Sequence, residues 1–134
     1  MGDGCVTEGA SKRILVIDDA ALVRAYYRQA LEQAGYEVDE AFNGLEALEK
    51  VLMQNYDLVI VDVNMPQMDG MTFLRSLRSR DLPVGGIPAL VTSTEAGQQD
   101  IIAARQAGAN YYLTKPVKQE ALIDWVAILC GTRS

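Results

Sequence analysis

The chain has 134 residues, 49% of them apolar and 22% charged, with 12 Lys and Arg against 18 Asp and Glu for a net charge of −6. That is enough chain for one domain with a real core. The lack of a basic cluster argues against a direct nucleic-acid footprint, and no apolar run is long enough to span a bilayer. The chain has no histidine, which removes a histidine base, a histidine metal ligand and a phosphohistidine of its own.

The first dozen residues, MGDGCVTEGASK, hold no hydrophobic segment, so they do not read as a signal peptide. Residues 1–11 are Gly-rich and are expected to form a loose arm ahead of a domain over 12–131. Gly2 invites a myristoylation reading, but Val6 stands where Ser or Thr is needed. Cys5 and Cys130 lie near opposite ends, outside any metal or redox spacing, so a reducing cytoplasm is the expected setting. Residues 14–17 (ILVI) read as a buried strand that runs into Asp18-Asp19. A helix follows over 20–34, with Leu22, Tyr26 or Tyr27, Ala30 and Leu31 on its apolar face and Gly35 closing it. A short strand is expected over 36–41, a turn at Asn43-Gly44, and a helix over 45–54 with Leu45, Leu48, Val51 and Leu52 inward. Residues 58–61 (LVIV) are four apolar residues, three of them β-branched, which is the composition of a buried parallel strand ending on Asp62. Asn64, Pro66, Asp69 and Gly70 then break the periodicity. A helix over 71–80 puts Phe73, Leu74 and Leu77 inward and Arg75, Arg78 and Arg80 outward. After a Gly/Pro loop come a strand over 89–93, a helix over 98–107 closed by Gly108, a strand over 111–114, Lys115-Pro116, and a last helix to about Cys130.

Five β/α units in alternation predict a doubly wound five-stranded parallel sheet with helices on both faces, because each crossover must be right-handed. Ligands in such folds bind beyond the carboxyl ends of the strands. The strand ends here deliver Asp18 and Asp19, Asp62, a hydroxyl, and Lys115 to one edge. Each has a plainer reading by itself: Asp18-Asp19 as a helix cap, Asp62 as a turn residue, Lys115 as a solvated lysine. Together they make a chemical site. Carboxylates about 4 Å apart at an effective dielectric near 20 repel by roughly 4 kcal/mol per pair. A hard divalent cation relieves that repulsion, and Mg²⁺ favours oxygen ligands. Such a site would let the Asp62 carboxylate attack phosphorus, with Lys115 pairing the product.

Four motifs, ILVIDD, LVIVDVNMPQMDG, IPALVTSTEA and AGANYYLTKP, appear in order at the strand ends. With them the chain resembles the receiver domains of two-component response regulators, and among those the small stand-alone CheY-like proteins, over roughly residues 12–130. The resemblance implies a flavodoxin-like (βα)5 receiver fold with Asp62 as phosphoacceptor. It implies Asp19 and the backbone carbonyl of Asn64 as direct Mg²⁺ ligands beside Asp62, with Asp18 acting through water. It also implies Lys115 as the phosphate-pairing lysine and a cis peptide bond at Pro116. The family pattern, counted from Pro88 and back from Lys115, favours Ser93 as the switch hydroxyl, with Thr92 as runner-up. Tyr112 occupies the aromatic position that turns inward when the hydroxyl moves, whereas Tyr111 reads as a buried strand tyrosine. Asn64 and Glu95 resemble the positions that tune autodephosphorylation.

The last helix carries a core stripe of Leu122, Val126 and Leu129 and a second stripe of Ala121, Trp125 and Ile128. The second is either a wider buried face or a docking patch for a partner or a second copy. The implied partners are a histidine kinase or phosphotransfer protein upstream and a protein target bound through the last two β/α units, with no membrane and no nucleic acid. A monomer or a weak, phosphorylation-dependent dimer is expected. With little chain after the last helix, output is expected to run by binding, in a chemotaxis-type or phosphorelay role. No enzymatic activity is expected beyond self-catalysed phosphotransfer and autodephosphorylation. The alternative is a Mg²⁺-dependent phosphatase with an Asp nucleophile, of the haloacid-dehalogenase kind. Those enzymes use Asp-x-Asp, and Asn64 cannot serve as the second, acid/base carboxyl.

Overall fold

The computed structural model describes residues 12–65 and 68–130; the arm expected over 1–11 lies outside the described residues, as do residues 66–67 and 131–134. The elements run β1 Arg13–Ile17, α1 Ala21–Gln33, β2 Glu37–Ala41, α2 Gly44–Met53, β3 Leu58–Asp62, α3 Gly70–Arg78, a 3-10 turn Val84–Gly86, β4 Ala89–Ser93, α4 Gln98–Ala107, β5 Tyr111–Thr114 and α5 Gln119–Cys130. The five strands form one parallel sheet in the order β2-β1-β3-β4-β5. The chain moves outward one way from β1 and the other way from β3, so the topological switch point lies between those two strand ends. Among the described residues no helix is long and apolar enough to cross a membrane.

The alternation along each strand divides the core into two layers. Ile14, Val16, Leu58, Ile60 and Leu90 pack with Tyr27, Ala30 and Leu31 of α1 and with Leu122 and Val126 of α5. Leu15, Ile17, Val59, Val61 and Val91 pack with Ala47 and Val51 of α2, with Phe73, Leu74 and Leu77 of α3, and with Ala104 and Ala107 of α4. Asn43 caps α2 by accepting from the Glu46 amide at 2.8 Å, while Glu46 accepts from the Phe42 amide at 2.8 Å. Gly35 and Gly108 follow α1 and α4 at positive φ, +98° and +118°, where a side chain would be strained.

The inward faces of two helices differ from expectation. Leu22 is 86% exposed, and Leu45 and Leu52 are 48% and 54% exposed. Tyr27 sets the buried stripe of α1, and Val23, one turn earlier, lies on it where Leu22 does not. In α2 the face is built from small residues. Gly44 donates its amide to Met68 O at 3.1 Å and has no room there for a Cβ, so side-chain size misassigns the stripe.

Arg78 also departs from its expected outward position. It is part-buried, and its guanidinium donates to Gly108 O at 3.0 and 2.8 Å, to Gly85 O at 3.0 Å, to Ile87 O at 2.7 Å and to Asn110 Oδ1 at 3.0 Å. A planar fork with five donors suits this set of carbonyls at the end of α4 and before β4. Burial alone lowers its pKa. Arg78→Ala is expected to cost about 2 kcal/mol in chemical denaturation, since several acceptors lose their donor at once. Arg78→Lys should recover only part of that loss.

Candidate functional site

The switch-point crevice is built from backbone outward. Asp18 follows β1 and donates its amide to Ala41 O at 3.1 Å, which ties it to β2. Its Oδ1 accepts from the Ala20 amide at 2.9 Å, and its carbonyl accepts from Arg24 Nη1 at 2.6 Å. Asp18 is 1% exposed and Asp62, the last residue of β3, is 5% exposed, whereas Asp19 is exposed. A side chain at Gly70 would collide with the Asp62 carbonyl, so glycine is required where α3 starts against the strand end.

Lys115 completes the crevice from β5. Its amide donates to Ser93 O at 2.7 Å, and the Lys115–Pro116 bond is cis. Its Nζ lies 2.8 Å from Asp18 Oδ2 and 3.2 Å from Asp62 Oδ1. Carboxylate oxygens of Asp18, Asp19 and Asp62 lie within 4.8 Å of one another. Burial first, and the Asp18 charge second, push the Asp62 carboxyl above its ordinary range, against the pull of Lys115 and of a hydrogen bond from the Asn64 backbone. Burial works against the Lys115 charge, but the two carboxylates outweigh it and hold its pKa above the usual lysine value. Three carboxylates against one ammonium leave the pocket with surplus negative charge and an all-oxygen donor set. That chemistry fits a hard divalent cation such as Mg²⁺.

The hydroxyl-bearing residues separate by direction. Ser93 and Thr92 are both fully buried. Ser93 Oγ accepts from the Glu95 amide at 3.0 Å. Thr92 Oγ1 lies 3.5 Å from Val61 O, on the sheet face that carries Leu90 and Ile60. Tyr112 donates its hydroxyl to Glu95 O at 2.7 Å, so one residue of the β4–α4 loop meets both Ser93 and Tyr112. Asn64 and Glu95 have exposed side chains. On α5, Ile128 is 63% exposed, whereas Ala121 and Trp125 are half-buried. The Trp125 ring stacks on Tyr111 with centroids 3.6 Å apart and planes at 19°. Tyr111 is therefore a half-buried platform for the indole rather than a buried strand residue.

Sequence reading passed over Arg24, which holds the Asp18 peptide, and the buried Tyr27, which lines one cavity with Lys115. For Tyr27 a signal was available, because a tyrosine on a core stripe needs a partner for its O–H. For Arg24 none was, since an arginine on a surface helix is ordinary.

The response regulator receiver domain model matches residues 14–127. The chemotaxis protein CheY1 of Helicobacter pylori is 37% identical over 123 residues, which cover 90% of this chain and 98% of that protein. The transcriptional regulatory protein PrrA of Mycobacterium leprae is 35% identical, over 92% of this chain but only 52% of its own length. The chemotaxis protein CheY4 of Vibrio cholerae superimposes with a TM-score of 0.83 at 32% identity, covering 89% of this chain and 98% of that one. The Francisella response regulator 1452 receiver domain superimposes with a TM-score of 0.85 at 30% identity, covering 92% and 100%. Since the match runs from the first strand into the last helix and spans every strand end that faces the crevice, the chain belongs to the response regulator receiver domain family.

Proposed function

We propose that this receiver takes a phosphoryl group onto Asp62 from the phosphohistidine of a histidine kinase or phosphotransfer protein, in the cytoplasm, and then presents a changed α4–β5–α5 surface to a downstream protein. The observation that carries this reading is Lys115 Nζ bridging Asp18 and Asp62 at 2.8 and 3.2 Å where three carboxylates converge. A carboxylate oxygen of Asp62 attacks phosphorus as the phosphorus–nitrogen bond breaks. The electron pair leaves on the donor imidazole, and Lys115 shifts from the carboxylates to the new phosphoryl oxygens. When bound, Mg²⁺ supplies charge neutralisation for this pocket. Asp19, Asp62 and the Asn64 carbonyl would hold it directly, and Asp18 would act through water.

Ser93 is the switch hydroxyl in this reading. It stands at the end of β4 and engages the Glu95 amide, whereas the Thr92 hydroxyl is committed inside the core. Phosphoryl oxygens draw Ser93 toward Asp62, and Tyr112, which is tethered to the same loop residue, follows. A hydrogen bond to a charged group contributes roughly 1.5–3 kcal/mol, which biases a two-state loop by about 10- to 150-fold. Asn64 and Glu95 steer water for moderate self-hydrolysis. Ala121, Trp125 and Ile128 lie on the output surface, with Trp125 held against Tyr111 and Ile128 the freely exposed member. The protein is a monomer or a weak dimer on phosphorylation, in a chemotaxis-type or phosphorelay circuit.

Incubation with acetyl phosphate and Mg²⁺ should add one phosphoryl group by intact mass, and Asp62→Asn should abolish the gain. Retention of the gain in that variant would place the phosphate elsewhere. In Mg²⁺-free buffer, Asp62→Asn should raise the thermal midpoint near pH 7. The folded-state pKa of Asp62 lies above its unfolded value. Its stabilising contribution is therefore fully present below the ordinary carboxyl value of about 3.9 and is lost as pH rises through the raised one. The advantage of the variant should accordingly vanish on acidification below that range. Ser93→Ala should still be phosphorylated on Asp62 but should lose most of the phosphorylation-dependent change in amide exchange over residues 94–97 and β5.

A further inference from the structure

Lys115 carries its ammonium on a flexible four-carbon stem, so where that ammonium falls depends on how firmly the backbone beneath it is held. On the strand side the Lys115 amide donates to Ser93 O at 2.7 Å, which ties the end of β5 to β4. Residues 116–118 then leave the sheet and enter α5, where the Leu122 amide donates to Lys118 O at 3.0 Å. Between these two ties, Tyr26 of α1 reaches across and donates its hydroxyl to Val117 O at 3.0 Å, a bond between residues 91 apart in the chain. The helix that carries Tyr26 is itself fixed to the pocket. Arg24, two residues earlier, donates to Asp18 O at 2.6 Å, and Tyr27, Ala30 and Leu31 seat α1 on the sheet. One helix therefore holds the acidic partner directly and the basic partner by way of Val117, and the two meet at 2.8 Å, Lys115 Nζ to Asp18 Oδ2. Stability alone gives little reason for a hydroxyl here. Tyr26 is 41% exposed, and it lines with Lys115 and Val117 a cavity of about 530 Å³, which has room for a water on the Val117 carbonyl. A water satisfies that carbonyl but does not tie it to α1.

We propose that Tyr26 is a positioning residue for Lys115: its hydroxyl latches the β5–α5 loop to α1 and so holds the ammonium where it meets the phosphoryl oxygens as they arrive on Asp62. The inference rests on Asp62 being the phosphoacceptor and Lys115 its phosphate-pairing lysine. Tyr26 acts through the backbone of the loop. Its effect falls on the rate of phosphoryl acceptance and not on the affinity of the carboxylates for Mg²⁺.

The test compares Tyr26→Phe, which removes only the hydroxyl, and Tyr26→Leu, which removes the ring as well, with the wild-type chain. Phosphorylation of Asp62 by acetyl phosphate in saturating Mg²⁺ is followed by intact mass, and the Mg²⁺ concentration giving half of the metal-dependent rise in thermal midpoint is measured for each protein. Tyr26→Phe should slow phosphorylation roughly three- to tenfold, with the half-effect Mg²⁺ concentration unchanged. Tyr26→Leu should be slowed to a similar extent. In a Lys115→Ala background, followed over longer incubation, Tyr26→Phe should cause no further loss, because the two residues act as a unit. The same fractional loss in that background overturns the proposal, since Tyr26 would then act on something other than Lys115. A Mg²⁺ requirement that rises in step with the lost rate overturns it as well, as a general distortion of the pocket. Tyr26→Phe at the wild-type rate, while Asp62→Asn gains no mass, overturns the latch alone, and a slow Tyr26→Leu beside it assigns the effect to packing of the ring. A mass gain in Asp62→Asn overturns the phosphoacceptor reading and this inference with it.

Discussion

Two carboxylates, Asp18 and Asp62, are held almost wholly out of water at the ends of adjacent central strands, with a single ammonium between them. Free carboxylates would spread apart or move into solvent. These cannot, because each is the continuation of a hydrogen-bonded strand, with Ile17 and Val61 in register. The repulsion is therefore a fixed property of the sheet, and the rest of the rim offsets it. Lys115 neutralises one charge, the Ala20 amide and the Asn64 backbone each stabilise a carboxylate, and Arg24 grips the Asp18 peptide from α1. What remains is surplus negative charge beside an exposed third carboxylate, Asp19, and it accounts for the fit to a hard divalent cation.

The same rigidity ties the pocket to the neighbouring strands and to the β4–α4 loop. The peptide groups that hold the pocket are shared with neighbouring strands: Val63 donates to Thr92 O at 3.0 Å and Lys115 to Ser93 O at 2.7 Å. Ser93 and Tyr112 both end on the backbone of Glu95. At the far end of α4, Arg78 binds the Gly108 carbonyl that closes the helix and the Ile87 carbonyl just before β4. The helix is thus clamped at its carboxyl end, while at its amino end Thr94 and Glu95 stay exposed.

Much of the fold was legible in the residues. The strands over 58–62, 89–93 and 111–114 and the helix over 98–107 occupy the expected positions. Short β-branched runs ended by Asp, by hydroxyl residues or by Lys-Pro announce themselves locally, as do Gly35 and Gly108 at helix ends. The helix faces were less legible. Leu22, Leu45 and Leu52 are large and apolar yet point outward, while Gly44 and Ala47 sit on the core. Burial there is decided by how closely a helix approaches the sheet, which composition does not record. Arg78 and Trp125 teach the same lesson. Arg78 was expected in solvent and is instead engaged by Gly108, while Trp125, whose stripe was open between a wider buried face and a docking patch, is half-buried on Tyr111.

By itself the sequence determined the alternation of strand and helix, and with it that the carboxylates and the lysine must be delivered to one edge of a parallel sheet. It could do so because strand period, strand length and crossover handedness are local or nearly local properties. Only the tertiary structure decided which oxygens Lys115 approaches, which of the two adjacent hydroxyls meets the Glu95 amide, and which tyrosine stacks on Trp125. Those are outcomes of side-chain packing between segments up to 97 residues apart. They turn on how closely each helix approaches the sheet and which side chains meet there, to which hydrophobic periodicity is blind.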